Sequence, residues 1–137
     1  MKYVSFPSVD KLVAEAVKLL RAHMRIRSKT PHAIMLPGGH TPLPVYAEIA
    51  RTPFPVSGNL HIMISDERMA PESSPDNNFS HAAEMISSLG MPPDRILKVH
   101  TDLPQAAAAA RYNRDISLFF SHNGRLTLAL LGIGADG

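Results

Sequence analysis

Apolar residues are distributed along this chain in two patterns, one typical of amphipathic helices and one typical of buried strands. From Ser8 to about Arg27, apolar side chains recur every three or four residues, which predicts an amphipathic helix packed on a sheet. Short, almost wholly apolar runs instead predict strands covered on both faces. These runs are 33–36, 60–64 and 126–131, with a weaker one at 96–99.

Helix start signals lie between the predicted strands. Thr41 is suited to an N-cap, and Pro42 to the first helical position, where a missing N–H costs nothing. Asp102, with Gln105 three residues later, predicts a variant capping box before another helix. The helices after the second and third strands are predicted over 78–89 and from 102 to about 120.

This alternation of strands and helices predicts right-handed crossovers and one incomplete α/β domain over residues 1–137. We expect a three-layer α/β/α architecture around a mostly parallel, Rossmann-like sheet. In such sheets ligands bind beyond the carboxyl ends of the strands. The loops that follow the strands are therefore the first places to look for chemistry.

Composition narrows the function classes. The 137 residues are 45% hydrophobic, carry a formal charge of +2 without a basic run, and contain no cysteine. These features give little support to a nucleic-acid partner and exclude disulfides, thiolate metal ligands and a cysteine nucleophile. The sequence shows neither a signal-peptide pattern nor an apolar run long enough for a bilayer, so we expect a cytoplasmic protein without a membrane partner.

The first candidate loop, Pro37–Pro42, contains Gly38 and Gly39 and leads into a predicted helix. Its free N–H groups and the helix dipole would suit a phosphate monoester, to which Thr41 would offer a hydroxyl. An ordinary strand-to-helix turn explains this loop about equally well.

The second candidate loop follows the strand 60–64 and contains Asp66, Glu67 and Arg68. A guanidinium is suited to phosphate or carboxylate oxygens, and Asp66 could orient it or bind a substrate hydroxyl. A solvated turn is the alternative, although the position at a strand end favours function.

The third candidate loop, 132–137, contains Gly132, Gly134 and Asp136. A single Gly-x-Gly is a weak signal for a dinucleotide, and no helix follows it within these residues. We therefore expect no nucleotide cofactor.

Taken together, the three loops resemble 6-phosphogluconolactonase and the wider superfamily that includes glucosamine-6-phosphate deaminase/isomerase. The resemblance rests on the motifs Gly-Gly-His-Thr-Pro at 38–42, Asp-Glu-Arg at 66–68 and Gly-Ile-Gly-Ala-Asp-Gly at 132–137. It extends from about residue 33 to residue 137. Arg68 favours the lactonases, because the deaminases usually carry an aromatic residue there.

The resemblance implies hydrolysis of 6-phosphogluconolactone to 6-phosphogluconate in the pentose phosphate pathway, without a metal or cofactor. It implies that Asp136 orients a histidine base, which in the family follows the last glycine of the third motif and is absent from these 137 residues. We therefore expect impaired activity. The residues expected to bind the phosphorylated sugar are Gly38, Gly39, His40, Thr41, Asp66, Arg68 and Gly134.

His40 stands where the family usually has serine. It could be a chance replacement, a phosphate contact when protonated, or a substitute base, in that order. The other six histidines show no metal-ligand spacing and are interpreted as structural or exposed.

Several alternatives stay open at this point. The chain could be an amino-sugar-phosphate deaminase/isomerase, or a non-catalytic sugar-phosphate-binding module. It could be a fragment of a longer lactonase or a naturally short protein. In either case the last strand would lack neighbours, and an open sheet edge favours self-association.

Overall fold

Helices and strands alternate along the chain in the predicted order. A computed structural model describes residues 4–132. The helices are α1 (Val9–Met24), α2 (Leu43–Arg51), α3 (Asn78–Ser88) and α4 (Gln105–Ser121). The strands are β1 (His32–Leu36), β2 (Leu60–Ile64), β3 (Ile96–Leu97) and β4 (Arg125–Ala129), with a 3-10 turn at Pro93–Arg95. Between residues 4 and 132, no helix is both long enough and apolar enough to cross a bilayer.

The four strands form one parallel sheet in the order β3-β2-β1-β4. β1 and β2 pair without a shift, from His32 opposite Leu60 to Leu36 opposite Ile64. The pairing of β1 with β4 is irregular after Ala33. There the Thr127 hydroxyl donates a hydrogen bond to the Ala33 carbonyl at 3.1 Å. All four carboxyl ends therefore point to one edge of the sheet, as predicted.

Strand side chains alternate between two faces, and helices cover both. Ile34 and Ile62 pack in a large buried cluster with α1, α2 and α3. The opposite face carries Ala33 and Met63, which pack against Phe119 of α4. The predicted three-layer α/β/α architecture is confirmed, and the layer of three helices contains most of the core.

The start of α2 differs from the prediction. Pro42, not Thr41, is the N-cap, and no side chain caps the helix. The Pro42 carbonyl accepts hydrogen bonds from the N–H groups of Val45 and Tyr46 at 2.9 and 3.1 Å. A proline ring already holds φ near the helical value, so the helix can begin here without a hydroxyl cap. Thr41 is thereby left in the loop before the helix.

The predicted capping box at Asp102 and Gln105 was wrong. α4 begins at Gln105 with Pro104 as its N-cap, and no side chain caps it. A turn in which the Leu103 N–H donates to the His100 carbonyl places Asp102 before the helix. Its carboxylate lies 3.8 Å from His100 Nδ1 instead. α1 also ends earlier than predicted, at Met24.

Candidate functional site

A cleft of about 950 Å³ lies at the carboxyl edge of the sheet, where the loops after β1, β2 and β4 meet. Parallel strands bring these loops together although they are far apart in sequence. The cleft also receives the start of α3. Its lining includes Gly38, Gly39, His40, Thr41, Asp66, Arg68, Asn78, His81, Leu131 and Gly132.

The first loop contributes Gly38, Gly39, His40 and Thr41 to the lining of this cleft. Gly39 has φ +82°, a left-handed conformation that glycine adopts without the penalty of a Cβ. Among the hydrogen bonds within residues 4–132, none uses the N–H of Gly39, His40 or Thr41 as donor. Such neighbouring, unused donors suit an anionic ligand.

Asn78 connects the first loop to the second. Its side-chain Nδ2 donates to both the backbone carbonyl and the carboxylate of Asp66, each at 3.0 Å. The other carboxylate oxygen of Asp66 accepts from the Ser65 hydroxyl at 2.7 Å. On its opposite side Asn78 packs so closely against Gly38 that a Cβ there would lie 2.0 Å from Asn78 Cγ. Gly38 is therefore required for packing, and both oxygens of Asp66 are already engaged.

Glu67 caps the start of α3. Its carboxylate accepts hydrogen bonds from the backbone N–H groups of Asn78 at 2.5 Å and Phe79 at 2.9 Å. It also accepts from the N–H of Arg68 at 2.8 Å. A carboxylate at a helix N-terminus is stabilised by the helix dipole as well as by these donors. Glu67 thus fixes the loop from which Arg68 projects.

Two tyrosine hydroxyls hold the carbonyls at the strand ends. Tyr46 of α2 donates to the Pro37 carbonyl at 3.0 Å, and Tyr112 of α4 donates to the Ile64 carbonyl. Burial raises the pKa of Tyr46. Burial, with a smaller effect of the Asp66 charge, raises the pKa of Tyr112 to about 12. Both phenols therefore stay protonated at neutral pH and can keep donating.

Arg68 is the cation of the cleft that lacks a counter-charge. It is exposed, and within residues 4–132 its guanidinium takes part in no ion pair. The nearest candidate, Asp66, is held by Ser65 and Asn78. The expectation that Asp66 orients the Arg68 guanidinium is therefore not met by any contact here, and the guanidinium is available to a ligand.

Two histidines also line the cleft. The rings of His40, in the first loop, and His81, in α3, lie 5.6 Å apart between centroids and are tilted by 44°. His81 was interpreted from sequence as structural or exposed, so its place in this cleft was missed. Its spacing from Asn78 was the available signal, because residues three apart share one face of a helix.

The third loop is described only at its beginning. Gly132 and Leu131 line the cleft beside the first two loops. Gly134 and Asp136 lie outside the described residues. Among residues 4–132, no group of three His, Asp or Glu side chains is arranged to hold a metal ion.

A second cavity of about 910 Å³ lies between α4 and the β3 side of the sheet, and no described residue of the three loops lines it. Its lysine and arginine are already paired. Lys98 contacts the Glu72 carboxylate at 2.5 Å, and Arg111 lies 3.8 Å from the Asp115 carboxylate. Of these two cavities, the cleft at the carboxyl edge is therefore the stronger candidate for an anionic ligand.

Known proteins resemble this chain in sequence and in fold. The family of glucosamine-6-phosphate isomerases/6-phosphogluconolactonase matches residues 7–137. The chain is 36% identical to the 6-phosphogluconolactonase of Thermotoga maritima, over 98% of this chain and 57% of that protein. It is 29% identical to the Haemophilus influenzae 6-phosphogluconolactonase, over the whole chain and 60% of that protein.

Solved structures agree with the sequence relatives. The crystal structure of a Thermotoga maritima 6-phosphogluconolactonase superposes with a TM-score of 0.75 at 30% identity, over 97% of this chain and 59% of that one. The chain thus spans 57–60% of the length of these relatives. This 137-residue chain belongs to the glucosamine-6-phosphate isomerase/6-phosphogluconolactonase family.

Proposed function

We propose that this chain binds the phosphorylated sugar of a 6-phosphogluconolactone substrate and takes part in its hydrolysis to 6-phosphogluconate. One observation carries the proposal: Arg68 and the first loop share one cleft, and within residues 4–132 neither the Arg68 guanidinium nor the N–H groups of Gly39, His40 and Thr41 have a partner. Guanidinium groups and convergent N–H groups both bind phosphate or carboxylate oxygens. We also propose a cytoplasmic location, since a charged sugar phosphate does not cross a bilayer unaided.

The residue roles follow from the cleft and from the family resemblance. Gly39, His40 and Thr41 would contact the phosphate or the sugar through backbone N–H groups and the Thr41 hydroxyl, and Gly38 would allow their close approach. Arg68 would bind the anion. Asp66, whose carboxylate is held in place, would accept a hydrogen bond from a sugar hydroxyl. The family resemblance adds Gly134 to the substrate-binding residues.

The hydrolytic step would need a base to activate water. An imidazole can accept the water's proton near neutral pH while a carboxylate fixes its tautomer, and Asp136 would be that carboxylate. No histidine follows Asp136 within these 137 residues. A polypeptide of only these residues should therefore bind the product but turn over the lactone about 10²- to 10⁴-fold more slowly than a lactonase with the base.

Calorimetry with 6-phosphogluconate tests the binding part. Arg68→Ala should weaken binding by about tenfold or more, because a hydrogen-bonded charge pair is lost. Arg114→Ala is the matched control, since Arg114 is an exposed arginine of α4 outside the cleft lining. Equal affinity of wild type and Arg68→Ala would contradict the site, and absence of binding in wild type would contradict the function.

Parallel assays distinguish the rival functions. Turnover of glucosamine-6-phosphate, with none of the lactone, would favour the deaminase/isomerase reaction of the same family. Tight 6-phosphogluconate binding without turnover, even after a C-terminal segment with the base is supplied, would favour a non-catalytic binding module. Lactone hydrolysis restored by that segment is the result we expect.

A further inference from the structure

His81 is held firmly at one end of its ring. Its Nε2 lies 2.8 Å from the Pro75 carbonyl, and because a carbonyl only accepts, Nε2 carries the proton. Its other nitrogen, Nδ1, is buried and has no hydrogen-bond partner within residues 4–132. The ring is thus fixed between the loop before α3 and the cleft.

His40 has no comparable support of its own. It is exposed, it follows the left-handed Gly39, and no side-chain hydrogen bond within residues 4–132 holds its imidazole. Its ring pairs with that of His81, at 5.6 Å between centroids. The His40 imidazole therefore lies beside a ring that is itself held in place.

The charged groups around this pair are one guanidinium and two carboxylates. Arg68 forms no ion pair within residues 4–132, and both oxygens of Asp66 accept hydrogen bonds from neutral groups, so the guanidinium is the cationic donor open to a ligand. Asp76 is the other carboxylate in the lining, and it is exposed to solvent. A ring N–H of His40 would then offer an anionic group a second donor besides Arg68.

We propose that His81 is a positioning residue that holds His40 as a donor to an anionic group of the bound sugar phosphate. The proposal rests on the proposed function and deepens it, because it adds a residue that selects for the charged end of the ligand. The two histidines then act as one unit, and removing either should have the same effect as removing both.

A double-mutant cycle on the 137-residue chain tests this coupling, with 6-phosphogluconate as the calorimetric probe. His40→Ala and His81→Ala should each weaken binding about tenfold, and the double variant should be no weaker than either single variant. His81→Phe keeps a ring against His40 and should restore part of the affinity. Thermal unfolding of each variant checks that it remains folded.

The outcomes distinguish a failure of the histidine pairing from a failure of the proposed function. If Arg68→Ala weakens binding while His40→Ala and His81→Ala do not, the inference is wrong and the proposed function stands. Additive losses in the double variant would also overturn the pairing, because a purely structural role of His81 would not depend on His40. If wild type fails to bind, both are overturned.

Ring signals provide an independent readout. In an NMR titration with 6-phosphogluconate, the imidazole C–H resonances of His40 and His81 should shift together. Those of His122, at the end of α4 and outside the cleft lining, should stay in place. Shifts confined to His40 would contradict the positioning role.

Discussion

The two faces of the sheet are covered very differently. On one face, three helices bury Ile34, Ile62 and their neighbours in one continuous cluster. On the other, α4 alone contributes, and the buried cluster consists of Ala33, Met63 and Phe119. The loops that carry Arg68 and Gly39 lead into helices of the first face, α3 and α2. The candidate site is therefore built from the better-packed side of the molecule.

Adjacent residues of β2 offer the most direct test of this difference. Ile62 and Met63 are both fully buried but point to opposite faces. Ile62→Ala should lower the free energy of unfolding by about 2–5 kcal/mol. Met63→Ala should cost less, because a single covering helix can settle into the gap, and the cost depends on how well a site collapses. Urea unfolding of both variants measures the difference, and equal costs would show that the second face is packed as tightly as the first.

The two glycines of the first loop separate packing from backbone conformation. Gly38→Ala should cost about 1–3 kcal/mol, because a Cβ would meet the Asn78 side chain and displace it from Asp66. Gly39→Ala should cost about 1–2 kcal/mol through its positive φ, since no atom of residues 4–132 lies within 4 Å of the added Cβ. Both costs come from urea unfolding.

Affinity for 6-phosphogluconate distinguishes the two glycine variants further. Gly38→Ala should weaken binding more, because it moves two loops of the cleft at once. A larger loss for Gly39→Ala would mean that the link through Asn78 does not set the geometry of the cleft.

Much of this arrangement could be predicted from the sequence. Apolar runs located β1 and β2 because buried parallel strands leave little room for polar residues, and the glycine and arginine loops were expected at one edge of the sheet. The roles of Asn78 and Glu67 could not be predicted. Both depend on hydrogen bonds between the loop after β2 and the start of α3, which only the folded chain brings together. Local capping rules misplaced Asp102 because Pro104 set the helix start.

The free energy of unfolding should depend on pH through His32 of β1, on the sheet face covered by three helices. Burial lowers the pKa of His32 below its ordinary value of 6.5, and both of its ring nitrogens lack partners within residues 4–132. The unfolded chain therefore takes up the proton first as pH falls. Stability should be constant above pH 6.5 and decrease below it, until the folded protein also becomes protonated.

His32→Leu should flatten this decrease, because it removes the titrating group. A decrease should remain from His61, whose pKa burial also lowers. His122→Gln serves as the control for an exposed histidine. Urea unfolding between pH 5 and pH 8 measures the three profiles, and a decrease of the same size in His32→Leu and wild type would assign the effect elsewhere.

The smallest effect on stability is expected at the edge strand β4, on the sheet face that α4 covers. β4 is an edge strand of the described sheet, and its Leu126 remains 39% exposed. Leu126→Lys should change the free energy of unfolding by about 0.5 kcal/mol or less, as is usual for surface substitutions. It should nevertheless reduce self-association, which we propose for this chain, because a charge on an edge strand discourages pairing with another copy.

Sedimentation velocity over a range of concentrations measures self-association of wild type and of Leu126→Lys. If wild type stays monomeric at every concentration, the edge of β4 is not a self-association surface. If wild type and Leu126→Lys associate equally, the copies meet through another surface. The sheet face covered by α4 then does not determine how the copies assemble.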